Sequence, residues 1–268
     1  MKILFSGDVA WNTGREAFEI SLPFLRHQYG AFDFVLMNCE NAAHGKGMTD
    51  NIFNKFIAMG VDAMTSGNHI WDKPAFFPTM DAENRVFRPA NYPDSCPGIG
   101  YGVIERKGKK LGVINLQGQV FMPPIDSPFY CADKIISELK AKHGENLPIF
   151  VDFHAEATSE KQALAYYLDG RVSAVIGTHT HVQTADERIL PNGTAFMCDA
   201  GMTGGHGGLL GCSLESVMPK FLQGLPCRFE PCIDEPAFNG VIIYIDDSTG
   251  LAENIKRINI PLEIDLDT

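Results

Sequence analysis

The chain has 268 residues, 45% hydrophobic and 21% charged, with 22 Lys and Arg against 33 Asp and Glu and a net charge of −11. This length supports a large α/β core, and no repeat, low-complexity tract or Pro/Gly/Ser-rich linker divides it, so residues 1–268 are expected to form a single domain. The acidic balance offers no basic stripe for duplex nucleic acid, and no apolar run reaches membrane-spanning length.

Met1-Lys2-Ile3-Leu4-Phe5 reads directly as a first strand, so no secretory leader is expected. Arg15 to Tyr29 carries Phe18, Leu22 and Leu25 at helical spacing and stops at Gly30. A strand through Met37 follows. Thr49 caps a helix to Met59 that puts Ile52, Phe53, Phe56 and Ile57 on one face, with Gly60 as terminator, and a strand covers 61–65. Residues 84–130 are punctuated by Arg88-Pro89, Tyr92-Pro93, Cys96-Pro97-Gly98 and Pro123-Pro124, with one strand from Gly112 to Leu116. Ala132 to His143 reads as a helix ended by Gly144, and Pro148 to Phe153 as an apolar strand.

Further on, Ser159-x-x-Gln162 fits a capping box opening a helix through Leu168. Strands at 173–177 and 194–199 precede a glycine-rich loop (Gly201 to Gly211) and a helix near Ser213 to Leu222. The tail is β: Gly240 to Asp246, a turn at Asp247-Ser248-Thr249-Gly250, then Ile255 to Ile260. The order predicts an α/β fold with two packed sheets flanked by helices. Cys39, Cys96, Cys131, Cys198, Cys212, Cys227 and Cys232 are odd in number and widely spaced, which predicts reduced thiols and a cytoplasmic protein.

The chemistry sits at the strand exits. Asp8 follows Ile3-Leu4-Phe5, Glu40 and Asn41 follow Phe34 to Met37, and Asn68 and His69 follow the strand at 61–65. His154 closes Ile149 to Phe153, and His179 and His181 follow Ala174-Val175-Ile176. Singly, each also fits ordinary turn or core chemistry. Together they should converge, because residues past the carboxyl ends of strands in an α/β sheet meet in one crevice. Carboxylate, carboxamide and imidazole donors without thiolate suit Mn or Fe, and Zn less exclusively. Two ions about 3.5–4 Å apart need a bridging carboxylate, and such pairs suit displacement at phosphorus.

Gly7-Asp8, Gly67-Asn68-His69 and Gly177-Thr178-His179-Thr180-His181 resemble the ordered motifs of the calcineurin-like metallophosphoesterases. Longer stretches resemble the YmdB-like branch, a family of cyclic-nucleotide phosphodiesterases. They are Asn38 to Ala43, Gly67 to Asp72, Arg88 to Pro93, Val151 to Lys161 and Gly177 to Asp186.

The resemblance implies a four-layer α-β-β-α sandwich with two divalent metal ions, Fe or Mn first and Zn or Mg next. By position, Asp8, Glu40, Asn41 and His181 would bind one ion. Glu40, Asn68, His154 and His179 would bind the other. The implied reaction is hydrolysis of 2′,3′-cyclic, and also 3′,5′-cyclic, nucleotides by a metal-bridging hydroxide with His69 as general acid, in a homo-oligomer. Two departures stand out. The wider superfamily has Asp-x-His at the first strand, but here Asp8-Val9-Ala10 leaves Asn41 to fill the gap, and Trp11 is bulky where the branch has small residues. Ile70 follows His69, so Asp72 is the acid left to orient its ring. The competing readings are a phosphatase or nuclease on RNA, disfavoured by the scarcity of Lys and Arg, and a non-catalytic scaffold. A metal amidohydrolase fits less well, since its His-x-His lies at the first strand.

Overall fold

A computed structural model describes residues 1–262; the last six positions of the expected 1–268 domain lie outside the described residues. In chain order the first half runs β1 (Lys2–Val9), α1 (Trp11–Tyr29), β2 (Phe34–Asn38), α2 (Asp50–Met59), β3 (Ala63–Thr65), α3 (Phe77–Ala82), β4 (Tyr101–Arg106), β5 (Lys109–Gln117) and α4 (Pro128–His143). It continues with β6 (Ile149–His154), α5 (Thr158–Tyr167), β7 (Ala174–Thr178), β8 (Arg188–Ile189), β9 (Ala195–Met197), β10 (Met202–Gly205), α6 (Leu214–Gln223), β11 (Pro236–Ile245) and β12 (Ala252–Pro261).

Two six-stranded sheets form, in the orders β12-β11-β10-β1-β2-β3 and β4-β5-β6-β7-β9-β8. Alternation along the strands sorts the core into three clusters. Leu4, Val35 and Met37 pack outward on Phe18, Leu22 and Leu25 of α1 and Phe53 and Phe56 of α2. Ile3, Phe5, Phe34 and Leu36 face inward to Phe150 and Ile176 of the second sheet, with the Phe5 and Phe150 rings 4.8 Å apart. Val151 and Phe153 face the far side, against Ile135, Ile136 and Leu139 of α4 and Leu164 of α5. Helices, sheet, sheet and helices therefore make four layers, as expected. No described helix is long and apolar enough to cross a membrane, and all seven cysteines are free thiols.

An irregularity in β1 aims the first of the candidate donors. β1 pairs with β2 in parallel, but the register shifts between Ser6 and Asp8. Leu4 and Val9 both join the helix-side cluster although they are five positions apart, an odd step that simple alternation would put on opposite faces. A bulge at Gly7 reverses the alternation and turns Asp8 towards the space between the sheets. Glycine is required there, because a Cβ at position 7 would lie 2.0 Å from the Gly201 carbonyl oxygen.

Several elements differ from the sequence reading. α1 begins at Trp11 rather than Arg15, with the Gly14 N–H on the Ala10 carbonyl at 2.9 Å. β4 was hidden among turn signals; it is a sheet edge whose residues are mostly half-exposed, so apolar alternation is weak. The glycine-rich stretch contains β10, paired in parallel with β1. Its glycines allow close backbone approach: a Cβ on Gly205 would lie 2.2 Å from the Cys232 carbonyl oxygen. The Ser159 capping box does not form, since α5 starts at Thr158 without a side-chain cap. The Thr49 cap and the left-handed Gly60 of α2 are present as expected, the Thr49 hydroxyl accepting from the Ile52 N–H at 3.4 Å.

Candidate metal centre

The carboxyl ends of β1, β2 and β3 in one sheet and of β6 and β7 in the other meet at one edge of the sandwich, and the expected donors arrive there. Asp8, Glu40 and His154 are buried, with exposures of 0%, 1% and 0%. Donor atoms of Glu40, His154 and His179 lie within 4.8 Å of one another, a spacing that suits a cation. Glu40 Oε1 is 3.0 Å from His154 Nε2, while Oε2 accepts the His69 N–H at 3.1 Å. His154 Nε2 is also 3.0 Å from His179 Nδ1.

A second group adjoins the first. Asn41 Oδ1 and His181 Nε2 are 3.2 Å apart, and Asp8 Oδ2 accepts the His179 N–H at 3.1 Å. Asp8 Oδ1 lies 3.9 Å from His154 Nδ1. Between Gly67 and His69, both of which lie against Glu40, Asn68 carries a buried side-chain oxygen. His69 stands beside the cluster without joining it, its Nδ1 3.1 Å from Asp72 Oδ2.

Each imidazole is tied at one nitrogen and turned inward at the other, the arrangement by which outer partners orient metal-binding histidines. His154 Nδ1 pairs with the Thr178 hydroxyl at 2.9 Å, and that hydroxyl donates to Asp152 Oδ1 at 2.7 Å. His179 Nε2 faces Glu156 at 3.2 Å. His181 Nδ1 faces the Leu210 carbonyl at 3.2 Å. Asp199, buried in an ion pair with Lys161 at 2.7 Å, takes the Thr180 N–H at 3.1 Å and its hydroxyl at 2.8 Å, and so fixes the loop that carries both histidines.

Electrostatics and sterics both fit a cation. Buried Asp8 Oδ1 and Asn68 Oδ1 have no hydrogen-bond partner, a costly state unless something positive faces them. Burial raises the Asp8 pKa. Burial would also raise Glu40, but the charge on His154 and the bond from its ring outweigh it and hold the carboxyl down at about 2. His154 is driven the other way: burial opposes its charge, yet Glu40 and Asp8 lift it to about 9. His179 is pushed the opposite way, down to about 3, by its partial burial and by the neighbouring His154. Gly67 cradles the centre: a Cβ there would fall 2.2 Å from His154 Nε2 and 2.3 Å from Glu40 Oε2.

A cavity of about 720 Å³ opens onto Glu40, Asn41, His69, His179 and His181. Its outer wall is Trp11, Leu209, Leu210, Val217, Phe221 and Phe229, and its cationic groups are Lys46 and Lys220. Trp11 apart, this wall and the roles of the outer partners Asp152, Thr178 and Glu156 were missed in the sequence. Asp152-Phe153-His154 did carry a signal, two polar residues at alternate positions of an apolar strand.

The family model of YmdB-like proteins matches residues 4–258. The chain belongs to the YmdB-like family. Over 258 residues, 96% of each chain, it is 49% identical to a Bacillus subtilis protein named 2′,3′-cyclic-nucleotide 2′-phosphodiesterase. A crystal structure of a hypothetical protein from Thermus thermophilus superposes with a TM-score of 0.89 at 37% identity, covering 97% of this chain and 99% of that one. The Haemophilus influenzae NAD nucleotidase shares the fold at 13% identity, with a TM-score of 0.61 over 97% of this chain and 56% of its own.

Proposed function

We propose that this single-domain chain is a dinuclear metal-dependent phosphodiesterase that hydrolyses 2′,3′-cyclic nucleotides, and also 3′,5′-cyclic ones. The observation that carries the reading is the Glu40 carboxylate, buried with one oxygen on His154 and the other on the His69 N–H, together with the two expected donor oxygens Asp8 Oδ1 and Asn68 Oδ1, which are buried without a partner. Asp8, Glu40, Asn41 and His181 hold one ion; Glu40, Asn68, His154 and His179 hold the other. Iron and manganese suit these donors best. Bound there, the pair lowers the pKa of a water molecule and neutralises charge on the phosphoryl oxygens.

The chain's own residues do the rest. Gly67 leaves room for the donors, and Thr178, Glu156 and the Leu210 carbonyl orient the three imidazoles. With Nδ1 pinned on Asp72, His69 offers Nε2 to the cavity. As water oxygen bonds to phosphorus, the bond to one ribose oxygen breaks and His69 delivers the proton to that oxygen. By analogy with the B. subtilis relative's name, the 2′ ester is the one cut, leaving a 3′-monophosphate. Lys46 and Lys220 supply local positive charge to an anionic substrate on a protein of net charge −11. We place the enzyme in the cytoplasm as a homo-oligomer with reduced thiols, acting on mononucleotides rather than duplex nucleic acid.

The test is product analysis with 2′,3′- and 3′,5′-cyclic nucleotides under Mn, Fe, Zn and Mg. Metal-dependent release of the nucleoside monophosphate is expected from the 2′,3′ substrates. Absence of hydrolysis with every metal, or hydrolysis of monoesters alone, overturns the reading and leaves a scaffold or a phosphatase.

A further inference from the structure

Trp11 is a bulky residue in a backbone conformation that suits glycine. Its φ is 62°, a region costly for bulky side chains and concentrated at ligand-binding sites. The conformation is held in place: the Trp11 N–H donates to the Asn41 carbonyl at 3.0 Å, and α1 begins at this residue. The indole lies along two glycine backbones. A Cβ on Gly45 would fall 2.5 Å from Trp11 Cζ2, and one on Gly211 would fall 3.6 Å from Cδ1. The residue is only half-buried, and it lines the 720 Å³ cavity together with Asn41, His181, Phe221 and Phe229.

Resting on the cyclic-nucleotide reading, we propose that Trp11 is the platform on which the substrate's nucleobase stacks, and that the strained backbone serves to present the indole to the cavity. Every nucleobase has a π-face, so stacking is sequence-tolerant, and the larger overlap with a purine makes Trp11 favour purines over pyrimidines. The cavity then divides by chemistry, with phosphate at the Glu40 side and base between Trp11 and the apolar wall.

The test compares wild type, Trp11→Gly and Trp11→Phe on adenosine 2′,3′-cyclic phosphate and on the base-free 2′,3′-cyclic phosphate of methyl riboside. Glycine is at ease at a φ of 62°, so Trp11→Gly should fold at least as well as wild type. Its KM for the nucleotide should rise roughly 5- to 150-fold with kcat little changed, the range expected from base–aromatic stacking. KM for the methyl riboside should not move, and Trp11→Phe should recover most of the loss. Adenosine 3′-monophosphate should quench wild-type tryptophan emission but not that of Trp11→Gly, in which Trp71 is the one remaining indole. Unchanged nucleotide KM with a lowered denaturation midpoint overturns the proposal and makes Trp11 a packing residue. Equal KM increases on both substrates also overturn it. A wild type that quenches but does not turn over the cyclic nucleotide overturns the assigned reaction while leaving the stacking site standing.

Discussion

His69 and Asp72 are three residues apart on one tight turn, with imidazole Nδ1 3.1 Å from the carboxylate. The pair fixes which nitrogen of His69 is free, because Asp72 occupies Nδ1 and the backbone N–H is spent on Glu40. A general acid matters most when the leaving group is poor, as a ribose alkoxide is and a nitrophenolate is not. His69→Ala should therefore slow 2′,3′-cyclic nucleotide hydrolysis about 10²–10⁴-fold while slowing a nitrophenyl phosphodiester far less, and Asp72→Asn should show the same bias to a smaller degree. Steady-state rates on both substrates decide it; equal losses, or loss of bound metal, would make His69 a ligand.

Glu40→Gln should empty both ion sites. A neutral amide presents one weak donor oxygen where the carboxylate presents two anionic ones, and His154 Nε2 loses the partner it now has at 3.0 Å. Elemental analysis should find well under two metals per chain with turnover abolished. Two retained ions and a near-normal rate would refute the bridging role.

Asn41→Ala should weaken the ion held by Asp8 and His181 selectively, since it removes the oxygen 3.2 Å from His181 Nε2. Metal titration should show one site lost and the Asn68/His154/His179 site kept; the reverse order of loss would invert the assignment.

Gly67→Ala is a steric test of the same centre. The new methyl would stand 2.2 Å from His154 Nε2 and 2.3 Å from Glu40 Oε2, so both donors must move. Displacing reacting groups by an ångström costs about 10²-fold in rate, and the metal content should fall while circular dichroism stays native. Full activity would mean that these donors sit elsewhere in the working enzyme.

Lys161→Met should cost about 3–5 kcal/mol in urea unfolding, because Asp199 is left charged and unpaired at 1% exposure. Adding Asp199→Asn should restore part of that stability yet not the activity, as Thr180 would still lose its anionic acceptor between the two histidines. A single variant as stable as wild type would show the ion pair to be energetically idle.

The strand exits were legible because buried parallel strands are nearly all apolar, so a polar residue at their ends has no reason of packing to be there. Asp8, Glu40, Asn41, Asn68, His69, His154, His179 and His181 stood out on that ground. What did not stand out depended on through-space relations. Thr178 and Asp152 acquire meaning only when β7 lies beside β6, in the register that sets Asp152 against Ile176 and His154 against Thr178. The bulge at Gly7 depends on the approach of Gly201, nearly two hundred positions away. β4 and β10 were obscured because an edge strand and a glycine-walled strand both lack the apolar alternation that marks ordinary ones. The outer wall was hidden because Phe221 and Phe229 read as an amphipathic helix and its tail until the fold brings them to the cavity that Trp11 also lines.

Every residue assigned to a metal ion lies at or before position 181, whereas most of the apolar wall comes from residues 209–229. Reaction and recognition are thus inherited on separate stretches of chain. A lineage can rewrite the later stretch, by substitution or by exchange of α6 and its flanks, and acquire a new appetite without disturbing the catalyst. Trp11 is the exception: it sits three residues after Asp8 and so travels with the catalytic stretch rather than with the wall.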